Sequence, residues 1–174
     1  MTVRSRTVST SYSATALTRW ILLLAVLLMV PAVWSAAAGQ HEGAVNTEDG
    51  VAIKGWDPVA YFTLGEPTEG SAQYSVEWDG AEWWFASAEH RDMFADDPER
   101  YAPKYGGYCA WAASQGNVAD IQPDQWAIED GRLYLNRNAR FHRRFHSDLA
   151  ANIAEADRNW PALRAELEAA AAAQ

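Results

Sequence analysis

Tyr74-Ser75-Val76-Glu77-Trp78-Asp79-Gly80-Ala81-Glu82-Trp83-Trp84-Phe85 is the stretch whose reading decides the fold. Asp-Gly supplies the two positive-φ residues that a type I′ hairpin turn requires, and the residues on either side alternate. With Asp79 and Gly80 as the loop, Trp78 pairs with Ala81, Val76 with Trp83 and Tyr74 with Phe85. That register gathers the large apolar groups on one face and turns Trp84 to the other. The pattern recurs at Asp130-Gly131, which sets Glu129 opposite Arg132, Ile128 opposite Leu133 and Trp126 opposite Leu135. Two hairpins with consistent faces predict a small antiparallel sheet.

Helical signals surround the hairpins, so the predicted class is α+β, with the two-hairpin sheet covered by short helices. Val51 to Ile53 opens a short strand. Asp57 before Pro58 has the form of an N-cap with proline at the first helical position, giving one turn over 58 to 62. Ser87 caps a helix over 88 to 96 with Met93 and Phe94 inward, and Pro98 ends it or starts a further turn to Tyr101. After Gly106-Gly107, residues 108 to 115 read as helix, closed by Gly116. Asn138 caps 139 to 147, and Asp148 caps 149 to 159, where Leu149, Ile153, Ala156 and Trp160 fall on one stripe. Pro161 ends or kinks that helix, and 161 to 174 is an Ala/Glu-rich helical tail with little to bury.

The leading 38 residues differ in kind. Arg4, Arg6 and Arg19 precede an apolar run from Trp20 to Val30, and Ala36-Ala37-Ala38 ends it, the three-part layout of a secretory signal peptide. An uncleaved anchor is the alternative reading, because a spanning helix needs about 20 apolar residues. Residues 39 to 50 are small and polar, a flexible linker to a domain over 51 to 160. The whole chain has 14 Lys+Arg and 23 Asp+Glu; taking away the leader's three arginines leaves 11 cations against 23 carboxylates, a net charge of −12. Nucleic acid is thereby excluded as a partner, since phosphate binding needs a basic footprint. An exported chain with one cysteine, Cys109, closes no internal disulfide, so its thiol is buried, metal-bound, reactive or paired with another molecule.

Gly55-Trp56-Asp57-Pro58-Val59-Ala60-Tyr61-Phe62, then Trp84-Phe85-Ala86-Ser87, His90, Phe94 and Asp97-Pro98-Glu99-Arg100-Tyr101, resemble in order and spacing the YHS domain, a small module of metal-handling proteins. The resemblance spans most of 51 to 104. Tyr105 to Ala112, with Trp126, Asp130-Gly131, Leu133 to Asn136 and Asn159-Trp160-Pro161, is similar to an exported bacterial branch that includes selenoproteins. The family pattern implies cysteines where this chain has Ala60, Ala86 and His90. Two of those three positions carry only methyl groups.

Cys109 and His90 are the candidate metal ligands, thiolate and imidazole suiting copper or zinc. Trp56, Asp57, Tyr61, Tyr108 and Trp111 are the candidate walls of a ligand pocket. Cys109 also falls in the first turn of a predicted helix, where unpaired amides favour a thiolate, and that supports a second reading as a catalytic redox nucleophile. A core cysteine packed among Tyr108, Trp111 and Ala112 is the plain alternative. His142 and His146, four apart beside Arg140, Arg143 and Arg144, share one helix face; they are a weak metal or anion site, or a solvated face. The leading expectation is a periplasmic or secreted binding protein for a transition metal, copper before zinc, or a small molecule. No stable membrane span would remain after signal cleavage. A single-thiol redox protein and an accessory subunit with a protein partner are the alternatives.

Overall fold

The computed structural model describes residues 43–173, so the expected signal peptide over 1 to 38 lies outside the described residues. Among them no helix is long and apolar enough to cross a membrane.

The elements in order are β1 (Thr47–Glu48), β2 (Val51–Ala52), α1 (Ala60–Thr63), β3 (Ser71–Trp78), β4 (Ala81–Phe85), α2 (Ala88–Asp96), α3 (Pro98–Tyr101), α4 (Ala110–Ser114), β5 (Gln122–Glu129), β6 (Arg132–Asn136), α5 (Ala139–Ser147) and α6 (Leu149–Ala172). The class is α+β. Both Asp-Gly turns form with positive φ at each residue, 51° and 79° at Asp79 and Gly80, 49° and 71° at Asp130 and Gly131. Trp78 pairs with Ala81 and Val76 with Trp83 as the alternation predicts, and the second hairpin keeps its register from Glu129–Arg132 to Trp126–Leu135.

Two features of the predicted sheet need correction. Tyr74 does not pair with Phe85: an irregularity between Ser71 and Ser75 shifts the register, and Ser71 lies opposite Phe85 instead. The hairpins also do not share a sheet. The first joins β2 and β1 in the order β1-β2-β4-β3, with β2 and β4 parallel, and the second stands alone as β5-β6. Hairpin turns fix local register, but which strands later meet depends on packing that neither turn encodes.

The predicted linker is structured from residue 43 onward. Ala44, Val45 and Asn46 are buried, and Asn46 explains why. Its N–H donates to the Gly106 carbonyl at 2.8 Å, its carbonyl accepts from Ile53 N at 2.8 Å, and its side-chain amide reaches Asp120 Oδ1 at 3.2 Å. One residue, chiefly through its backbone, thereby clamps two left-handed turns, Ile53–Gly55 and Tyr105–Gly107. Gly106, at φ 58°, has no room for a side chain: a Cβ there would overlap the Ala44 carbonyl oxygen.

The main core collects Trp83, Phe85, Val59, Tyr61, Ile53, Leu133 and Leu135 around Phe94, whose ring stacks on Trp83 at 5.2 Å between centroids. A second cluster holds Tyr105, Tyr134, Phe145 and Ala156, with Trp160 against it. α6 runs through Pro161 without ending there. Its last turns are not idle: Leu167 is buried, and Arg164 Nη2 reaches Asp79 Oδ1 in the first hairpin turn at 2.7 Å. Gly43 lies beside the end of α6, close enough that a methyl on it would sit 3.8 Å from Ala171 Cβ.

Candidate functional site

Asp57 is completely buried and its carboxylate is saturated. Oδ1 accepts from Val59 N at 2.8 Å and Ala60 N at 3.2 Å, the capping role its place before Pro58 predicts. Oδ2 accepts from Ala86 N at 2.9 Å and from His90 Nδ1 at 2.6 Å. The far ring nitrogen, His90 Nε2, faces Thr63 Oγ1 at 3.0 Å, and that hydroxyl also lies 3.1 Å from the Val59 carbonyl. Ser87 caps α2 through His90 N at 3.1 Å, which presents the imidazole to Asp57. Loop, strand end and helix are thus stapled by one carboxylate and one imidazole.

Cys109 occupies a different, sealed compartment. It caps α4 and has no exposed surface. Its sulfur receives the Arg137 N–H at 3.3 Å and lies 3.7 Å from Asn136 Oδ1, to which Trp111 N also donates. Burial pushes the thiol pKa up, and this outweighs the downward pull of the Ala112, Arg137 and Trp111 amides and the Arg137 charge. The amides predicted at this helix start are present, yet desolvation wins over them. The shift therefore runs opposite to the lowered pKa that the redox reading expects.

The predicted pocket residues each have partners of their own among the described residues. Tyr61 is buried and donates its hydroxyl to the Pro123 carbonyl at 3.0 Å. Tyr108 is buried with its hydroxyl on the Gly43 carbonyl at 3.0 Å. Burial raises both phenol pKa values. Trp111 lies under the Arg144 guanidinium, 5.8 Å from the ring centroid, and Trp56 bridges to Glu69 at the edge of its loop. On α5, His142 and His146 stack at 4.3 Å, and His146 Nδ1 donates to the His142 carbonyl at 2.9 Å. That bond removes one of the two nitrogens a chelate there would draw on.

Residues 59–105 match the family model of the YHS domain. The chain carries a YHS domain. No curated protein and no solved structure matches the chain. The YHS segment runs from the Asp57-capped turn through the first hairpin and α2 to Tyr105, so it includes His90 and excludes Cys109, His142 and His146. Metal handling, of copper in particular, is generally associated with the YHS family. The residues of this YHS domain do not fit that role. Ala60 and Ala86 offer no donor atom, His90 is held at both ring nitrogens, and Cys109 has its own buried partners. Among the described residues no group of three or more His, Cys, Asp or Glu side chains is placed to hold an ion.

A groove of about 560 Å³ lies where the YHS segment meets β6 and α6. Trp78, Trp83, Tyr105 and Trp160 are among its walls, with Lys104 and Arg132 at its polar edge. Trp83 Nε1 donates to the Trp78 carbonyl at 2.9 Å, which fixes the indole pair where β3 turns into β4. Tyr105 meets Trp160 edge-on at 5.9 Å. Sequence reading missed this groove because its wall combines the first hairpin turn, the left-handed Tyr105–Gly107 turn and the middle of α6. The legible signal was Trp160, standing just before Pro161.

Proposed function

We propose that this is an exported binding protein in which the YHS domain helps to form a groove for a small organic ligand. The observation that supports this reading most is the aromatic-walled groove. Its volume lies within the range of about 300–1,000 Å³ usual for small-molecule sites, and such sites typically combine aromatic walls with a few polar groups. The metal donors that the family would lead one to expect are missing or already engaged. Indole and phenol faces bind flat apolar surface by burial and dispersion, so the ligand has a planar body.

Two measurements test the two halves of the proposal. Intact mass of the exported protein should give a mature chain beginning near Gly39; recovery only of the full chain, in membranes, overturns export with cleavage. For the groove, 2-naphthamide and 2-naphthoate serve as planar probes, followed by quenching of tryptophan fluorescence. Saturable binding weakened by Trp160→Leu and unaffected by His90→Gln is the expected result. Absence of saturable binding by both probes overturns the groove as a ligand site.

A further inference from the structure

Charge pairing around the groove leaves one cation over. Arg164 is taken by Asp79 Oδ1 at 2.7 Å and Glu168 Oε1 at 2.7 Å. Lys104 lies 3.4 Å from Asp157 Oδ1, with its ammonium 5.6 Å from the Tyr105 ring centroid. Arg132, the first residue of β6, is half-buried, and its guanidinium makes no hydrogen bond or ion pair among the described residues. Its cross-strand neighbour Glu129 pairs with it through the backbone register, but the two side chains form no ion pair. Glu99, the other unpaired charge of the lining, is exposed. Water screens a rim carboxylate far more than a half-buried guanidinium.

Resting on the reading of the groove as a ligand site, we infer that it selects planar carboxylates, the aromatic body lying against Trp78 and Trp160 and the carboxylate on the Arg132 guanidinium. The chemistry of the side chain supports this class. A guanidinium offers parallel N–H donors that match the two oxygens of a carboxylate, and it is more weakly hydrated than an ammonium, so it gives up water readily for such a partner. In a chain whose net charge is strongly negative, a cation without an ion-pair partner beside aromatic rings gives an anion local attraction against the general repulsion.

The experiment compares 2-naphthoate with its neutral near-isostere 2-naphthamide on the full mature protein. Wild type should bind the carboxylate about tenfold or more tightly than the amide, the value of one charge-assisted hydrogen-bonded contact. Arg132→Gln should bring the two affinities together by weakening the carboxylate alone, and Arg132→Lys should restore part of the difference, with stronger salt dependence. Unchanged amide binding in both variants shows that the groove is still folded. Equal binding of both probes by wild type, or a preference that survives Arg132→Gln, overturns the carboxylate assignment while leaving the groove as a ligand site. Failure of both probes overturns groove and assignment together.

Discussion

Asp57 shows how much can depend on one side chain. Its two oxygens take four donors from three elements, with no exposed surface. Asp57→Asn replaces one acceptor oxygen by a donor that faces other donors, so urea denaturation should show a loss of about 2–4 kcal/mol, the range for breaking a buried hydrogen-bonded network. A loss below about 0.5 kcal/mol would mean that the network adds little to stability. The capping half of this role was legible in Asp57-Pro58. The His90 half was not, because it needs β4 and α2 to arrive at the same place, and no local pattern states that. Cys109 carries the second residue-scale prediction. Its sulfur is sealed and its thiol pKa raised, so iodoacetamide should leave the folded protein unlabelled and react after denaturation. Cu(I) titration should likewise give the same curve for wild type and Cys109→Ser. Native labelling at the rate of a free thiol would overturn the sealed compartment.

At the scale of elements, caps and turns were the readable features. Ser87 and Asn138 cap α2 and α5 as their positions predict, and both Asp-Gly loops form. Side-chain chemistry of that kind acts over three or four residues, which is the range a sequence exposes directly. Pro161 misled for a related reason: proline removes one helical hydrogen bond, but the burial of Leu167 and the pairing of Arg164 with Asp79 hold the turns beyond it. α5 carries a pH-dependent term. Burial, the neighbouring His146 and the Arg143 charge, in that order, lower the His142 pKa below 6.5. The unfolded chain then binds that proton more tightly than the folded one. His142 should therefore contribute a loss of stability as pH falls through about 6.5, levelling off below the folded-state value. His142→Gln should flatten this part of a thermal-melting profile between pH 7 and 5. An identical slope in the variant would assign the acid sensitivity to other groups.

For the molecule as a whole, class and the YHS segment were legible, whereas sheet membership and the groove were not. Both depend on contacts between residues far apart in sequence, such as Val51 beside Glu82 and Trp160 beside Tyr105. The same long-range closure has a practical side. Gly43 and Ala171 are neighbours, so the first and last described turns of the domain lie side by side. A short glycine-serine bridge between residues 43 and 173, with new ends cut between the exposed Gly116 and Asn117, should give a circular permutant with the same fold and a closely similar melting temperature. The closeness of residues 43 and 171 also makes the segment between them a natural cassette, one that can be spliced into a surface loop of a host protein without prising that loop apart.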